Sequence, residues 1–277
     1  MRIGIIGTGD MADALGGRWA AAGHCVLFGG RSPERARALA DRTGQSAGTL
    51  RDAAGFDDAV LLALPYDAVA GVLAALGADG GALRGRVLVD CTNAVGPGFR
   101  LTTGTGPGAA RTIADATGAR VVKAFNHLPD VVWRRPPPAF AEGPVAVPLC
   151  GDDPAALERV ATLVRDLGCV PLPVGGLDRA VYLEATAAFL IGLWHSGHDP
   201  RSLLPPFEAV TAPPGPGLSC GDPGPPRSSE DEGDQLQQVR LGRRPGVRRA
   251  ARPQGRPRLG PGEGARRGRE PRRLEGP

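Results

Sequence analysis

Residues 2–12 read RIGIIGTGDMA, and the fold is decided there. The first half, Arg2 to Ile6, is a short run rich in isoleucine. Such runs form strands buried on both faces of a parallel sheet. The chain then passes through two glycines. Gly7 suits the tight turn out of the strand, Gly9 lets the backbone approach a pyrophosphate, and Ala12 takes the close-packing place of a third glycine. Met11, Ala14, Leu15 and Trp19 recur at helical spacing, so a helix opens near Asp10. Its free N–H groups and the positive end of its dipole favour phosphate. Strand, glycine turn and helix in this order form the core of a dinucleotide-binding unit.

The same alternation continues outward. VLF (26–28) is a second strand. Ser32-Pro33 then starts a helix, with serine at the N-cap and proline in the first turn, and that helix stops at Gly44. Further strands are expected at 59–65, 86–93 and 119–126, with helices at 67–76 and 109–117 between them. PVAVPLCGDD supplies another strand, 153–168 a helix opened by Asp153 and Pro154, and CVPLPVG the last strand. Strands and helices alternating at this spacing predict an α/β, doubly wound (Rossmann) parallel sheet with helices on both faces. A small C-terminal helical extension follows at 177–197. It is the one element placed to close a site or to pair two copies of the chain as a homodimer.

The end of the second strand points to one cofactor. A site for NAD wants an acid there for the ribose hydroxyls. The chain instead reads FGGRSPERA, and Arg31, Ser32 and Arg35 suit a 2′-phosphate. The expectation is therefore NADP(H).

GTGDMA, GGRSPERA, DDAVLLALPYDAV, VLVDCTN, VVKAFNHLP and the later CGDDPAALERVATLVRDLG and YLEATAAFLI stand in order over residues 1 to about 200. In that order they resemble the NADP oxidoreductases dependent on coenzyme F-420, a group related to the reductase domain of membrane metalloreductases. The resemblance implies that Thr8, Gly9, Asp10 and Met11 contact the pyrophosphate, and that Gly30, Arg31 and Arg35 lie on the 2′-phosphate side. The family often has serine where Gly30 stands. Leu64-Pro65, Asn93-Ala94 and Ala124, Phe125, Asn126 and His127 fall at carboxyl ends of strands, where open α/β sheets bind ligands. They are expected to line the nicotinamide and deazaflavin pocket.

Composition limits the alternatives. The chain has 277 residues, 42% hydrophobic and only 4% aromatic, with a formal net charge of +4. Residues 212–277 hold 14 Arg and 8 acids, leaving 19 basic and 21 acidic residues in 1–211. The body is thus slightly acidic, with no basic surplus for nucleic acid. No apolar run reaches membrane-spanning length. The five cysteines show no CxxC spacing, and no cluster of ligand residues completes a metal site around His195 and His198. A reduced, cytoplasmic protein without a bound metal is the expectation.

The expected division is an oxidoreductase domain over 1–204 and a Pro/Gly/Arg-rich tail over 205–277. Residues 212–277 contain no aromatic residue, 13 Gly and 12 Pro. Such composition buries too little apolar surface to offset chain entropy, so disorder is expected. It is also what a GC-rich gene yields when read out of frame. A disordered linker and an Arg-rich nucleic-acid arm are the other two readings.

Hydride transfer needs proximity, face selection and a dry cleft rather than a nucleophile. Its partner would be a small-molecule hydride acceptor or donor, with coenzyme F-420 as the co-substrate that the resemblance implies. His127 is the candidate catalytic group, as a proton or hydrogen-bond donor to the deazaflavin. Lys123 is a weaker candidate for an acid. Phe125 would offer the acceptor a flat surface, and Arg100, Arg134 and Arg135 would meet its acidic tail. Two other functions remain: an NADPH-dependent reductase of an imine, quinone or ferric chelate, and a catalytically silent NADP-binding sensor or partner subunit.

Overall fold

The central strand β1 (Arg2–Ile6) is buried at every position after Arg2, and β2 (Cys25–Gly29), β4 (Ala59–Leu62), β5 (Val87–Asp90) and β6 (Arg120–Lys123) are apolar through most of their length. Strands of this composition are stable only with helices on both faces. The computed structural model describes residues 1–77, 81–140 and 143–203, together with Pro205 and Val210. The expectation of a disordered tail over 205–277 therefore falls, apart from those two residues, outside the described part.

With β3 (Ser46–Gly48), β9 (Ala146–Gly151) and β10 (Val170–Gly175), these strands form one eight-stranded sheet in the order β10-β9-β6-β5-β4-β1-β2-β3. Against one face pack α1 (Asp10–Ala21), α2 (Pro33–Thr43), α6 (Asp130–Trp133) and α7 (Pro154–Asp166). Trp19, Phe28, Trp133, Val160 and Leu163 lie at the centre of that layer. Against the other face pack α3 (Leu50–Ala54), α4 (Tyr66–Leu76), α5 (Ala109–Thr117) and the start of α8 (Ala180–His195).

The doubly wound reading holds, with one departure. β9 runs antiparallel to β6, with Val122 opposite Gly151 and Lys123 opposite Cys150. A parallel neighbour needs a crossover of a dozen or more residues, usually through a full helix. Between β6 and β9 the described residues hold the four-residue α6 and a small hairpin of β7 (Ala139–Phe140) and β8 (Gly143–Pro144). It therefore turns back beside β6. The full-length α7 then restores the parallel pairing of β9 with β10.

β10 is the outer strand, and Val170 and Leu172 are exposed on it. Its N–H groups at even positions face β9: Val170 donates to Val145 O at 2.9 Å. Pro171 and Pro173 occupy the alternate positions. The chain runs from β1 to β2 on one side and returns to β4 on the other. The gap between the carboxyl ends of β1 and β4 is thus the switch point where such sheets bind ligands.

Candidate functional site

Gly7 leaves β1 with φ of 135°, and a Cβ there would lie 2.0 Å from Ala63 O. The fold itself demands glycine at this position. Gly9 is different. Its backbone is extended, with φ −92°, and a Cβ would meet nothing within 4 Å. Neither conformation nor packing requires glycine there, so the open space is what a pyrophosphate approaching the backbone would use. The helix beyond agrees. α2, α3 and α7 are capped by Ser32, Thr49 and Asp153, whereas α1, like α4, α5, α6 and α8, has no N-cap side-chain hydrogen bond. Its N-terminal donors remain for an anion.

Beyond β2, a Cβ on Gly30 would come 2.6 Å from Thr8 Cγ2, so these two neighbours compete for one space. Ser32 caps α2, accepting from Arg35 N at 3.3 Å while its hydroxyl donates to Glu34 at 2.9 Å. Among the described residues the Arg31 and Arg35 side chains have no ion-pair partner, and both are exposed. A second cleft of about 740 Å³ opens here, lined by Gly30, Pro33, Arg37, Thr49, Leu50 and Arg51. Sequence reading missed the last four. Arg37 lies on α2, and Thr49, Leu50 and Arg51 depend on α3, which is too short to show a period.

At the switch point lies a cleft of about 640 Å³. Gly9, Asp10 and Met11 line it from α1, Leu64 and Pro65 from the end of β4, Asn93 from beyond β5, and Phe125, Asn126 and His127 from beyond β6. Residues from the three strand ends expected to share a pocket, after β4, β5 and β6, therefore line one cleft, together with the start of α1. Gly7 and Thr8 do not line it, and Ala94 and Ala124 are fully buried away from it. Three lining residues had no signal in the sequence beyond their helix: Ile191, Trp194 and His195 at the end of α8. Cys91 and Thr92 also line it.

The polar groups are held in place individually. Asn93 donates to Asn126 O at 2.7 Å, and Asn126 donates to Asn93 Oδ1 at 3.0 Å and to Leu183 O of α8 at 3.2 Å. Phe125, between them and β6, has φ of 62°. This left-handed conformation is rare for a bulky residue and stores about 1–3 kcal/mol of strain. It also turns the ring into the core, edge-on to Trp19 at 5.7 Å and Trp133 at 5.4 Å. The flat surface expected from Phe125 is thus not presented to the cleft.

Burial pushes the His127 ring down to about 4, against a smaller upward effect of its hydrogen bond to the Ala146 backbone. The imidazole is neutral at pH 7, and its Nδ1 is buried without a partner. Burial also drives the Cys91 thiol up to about 12. It stays a thiol and donates to Leu62 O at 3.4 Å. Arg134 is not free to meet an acidic ligand, as the sequence had suggested. Its guanidinium is bound to Asp13, to Asp130 at 3.0 Å and to Asp10 O at 3.3 Å, which ties the loop after β6 to the first turn of α1. Asp13, with Arg42 as a second partner, stays below the usual carboxylate range because the two guanidiniums outweigh its burial.

Behind the cleft lies a fully buried ion cluster. Lys123 Nζ donates to Asp90 Oδ2 at 2.8 Å and to Thr92 O at 2.6 Å, and lies 3.2 Å from Glu184 Oε1 of α8. Glu184 also accepts from Ala109 N and Ala110 N, at 2.8 and 3.0 Å, at the start of α5. Burial opposes the ammonium charge, but Asp90 and Glu184 outweigh it and hold the Lys123 pKa above its ordinary value. Lys123 sits behind the cleft and does not line it.

Comparison with known proteins agrees with this fold. The family model for NADP oxidoreductases, coenzyme F420-dependent, matches residues 2–94. An F420-dependent NADP reductase of Methanothermobacter thermautotrophicus is 30% identical over 213 residues, covering 70% of this chain and 89% of that protein. The rat metalloreductase STEAP3 is 29% identical over 194 residues, but the chain spans only 38% of its length. Among solved structures, a putative F420-dependent NADP reductase from Arthrobacter sp. FB24 matches with a TM-score of 0.64 at 26% identity, over 72% of this chain and 96% of that one. With a relative of that identity spanned over nearly its whole length, the chain belongs to the coenzyme F420-dependent NADP oxidoreductase family and is an NADP-dependent oxidoreductase.

Proposed function

We propose that the chain transfers a hydride between NADP(H) and a deazaflavin of the coenzyme F420 type, in the cleft at the switch point. The observation that carries this reading is the cleft itself. It joins the uncapped N-terminus of α1 to a largely apolar chamber of about 640 Å³ walled by Met11, Leu64, Pro65, Leu128, Ile191 and Trp194. Two flat rings brought face to face need such an apolar chamber, which fixes their approach. The nearly full-length similarity to a relative named for F420 and NADP supports the same acceptor.

In this reading Gly9, Asp10 and Met11 hold the pyrophosphate through backbone donors, and Arg31, Ser32 and Arg35 take the 2′-phosphate. NADPH supplies the hydride. The protein supplies orientation, through Leu64, Pro65, Asn93 and Asn126 at the strand ends. His127 acts here as a hydrogen-bonding group with a neutral ring, since burial holds its pKa at about 4. The imidazolium needed for a proton donor is disfavoured at that depth.

A second reading, reduction of a flavin or ferric acceptor, draws on the similarity to a metalloreductase. One experiment separates them. Purified protein is mixed with NADPH and, in parallel, with oxidised F420, free flavin mononucleotide or a ferric chelate, and NADPH loss is followed. Turnover with F420 at least tenfold above the others is expected. Turnover with flavin or ferric chelate alone would replace the deazaflavin reading with the second one.

A further inference from the structure

Of the 33 lysine and arginine residues in the chain, 32 are Arg and one is lysine, Lys123. That one lysine is fully buried, and its surroundings explain the choice. An ammonium is compact and has three N–H donors, whereas guanidinium is a planar fork of five. Lys123 has three acceptors converging on one point: Asp90 Oδ2, Thr92 O and Glu184 Oε1, at 2.8, 2.6 and 3.2 Å. An arginine would bring two more donors and a larger plane into a site with no exposed surface.

The acceptors belong to different walls of the hydride-transfer cleft. Thr92 lines it from the end of β5. Its carbonyl is held by Lys123, and its N–H donates to Asp90 Oδ1 at 2.8 Å. Glu184 belongs to α8, which lines the cleft two to three turns later through Ile191, Trp194 and His195, about 10–17 Å along the helix. α8 has little apolar anchoring of its own. Its buried residues are Ala180, Glu184, Ala187 and Ala188, three of them alanine. Its position over the sheet therefore depends on polar ties, those of Glu184 and the bond from Asn126 to Leu183 O.

We propose that Lys123 is a positioning residue for hydride transfer, whose ammonium fixes the Thr92 wall and, through Glu184, the α8 wall in one arrangement, and that arginine cannot replace it. The proposal rests on the cleft being the place where the nicotinamide ring is held. The phosphate-binding part of the cofactor site lies on α1 and α2, away from this cluster, so cofactor affinity and ring placement come apart.

The test uses Glu184→Gln and Asp90→Asn in the full chain, with Lys123→Arg as a third variant. The cluster has two carboxylates for one ammonium, so either amide leaves a counter-charge and a folded protein. Two quantities are read: the dissociation constant for NADPH, and the emission of the bound reduced nicotinamide, which reports how firmly the ring is held and needs no acceptor. Val160→Ala, in the core of α7 far from the cleft, serves as a control for loss of stability alone.

The amide variants are expected to keep the NADPH dissociation constant within about threefold while the emission moves toward that of free NADPH. With F420 as acceptor, kcat should fall about tenfold to a hundredfold, the usual effect of misplacing reacting groups. Lys123→Arg should behave like them or worse. The idea is overturned if emission and kcat stay at wild-type values, or if Val160→Ala changes them equally at a matched melting temperature. If the wild type binds NADPH but does not reduce F420, the acceptor assignment fails, and the emission measurement still decides the role of Lys123.

Discussion

Two regions of the molecule, the end of β2 and the ends of β5 and β6, handle charge in opposite ways. At the end of β2, Arg31 and Arg35 are exposed and, among the described residues, unpaired. At the ends of β5 and β6, Lys123 is fully buried and paired with the equally buried Asp90 and with Glu184 of α8. An exposed cation is already solvated, so it stays available for a phosphate and loses little when none is bound. A buried cation has no such freedom. Its pairing must be complete in the folded chain, and it then fixes backbone and helices. In the proposed function, charge in the first region serves recognition, and charge in the second serves placement.

Four changes break or sharpen this contrast. The largest effect is expected for Lys123→Met, which leaves two buried carboxylates without a counter-ion. Removing one partner of a buried pair costs about 3–5 kcal/mol, and denaturant unfolding should show a loss of that size. A loss under 1 kcal/mol would mean that the cluster is solvated like the surface arginines. Next comes Arg31→Ala. A charged hydrogen bond contributes about 1.5–3 kcal/mol, so the NADPH dissociation constant should rise roughly tenfold to a hundredfold, with NADH binding nearly unchanged. Equal weakening of both cofactors, measured by titration, would remove the recognition role.

The third concerns acid. His127 is depressed to about 4 in the folded chain, from an ordinary value of 6.5. Between those values the unfolded chain binds a proton that the folded chain refuses. Stability contributed by the neutral ring is therefore complete above pH 6.5 and is lost as pH falls toward 4, by at most about 1.4 kcal/mol per pH unit. His127→Asn should flatten that window relative to the wild type in denaturant unfolding across the range. Identical slopes would mean that the ring is solvated. The smallest effect is expected at Arg134, which is part-exposed in its ties to α1. Arg134→Ala should change stability and NADPH affinity each by less than about 1 kcal/mol, read by melting and titration.

How much of this could be read from the sequence follows the same division. The phosphate end is local: Gly7, Gly9, Arg31 and Ser32 lie within 26 residues, and each has its meaning in strand–turn–helix order. The placement end is not. Asp90, Lys123 and Glu184 come from two strands and a helix spread over nearly a hundred residues, and only folding makes them neighbours. The one local hint was a lysine inside an apolar strand of a chain that otherwise uses arginine. The direction of β9 left no mark either, because a strand buried on both faces looks the same in either sense. β3 and α3 escaped because three and five residues carry no period. The burial of Phe125 depends on a backbone angle that its residue type does not announce.

The outer strand β10 has a consequence for how copies of the protein meet. On its open side the backbone would offer the nitrogens of residues 171 and 173, and both are proline. Over residues 170–173 a foreign strand arriving at that rim finds carbonyls but no donors opposite its own, which opposes pairing there. At the far rim β3 is only three residues long. The exposed Val170 and Leu172 can therefore be sticky without being templates: crowding would bring side chains together there, while the prolines oppose a lengthening of the sheet from one molecule into the next.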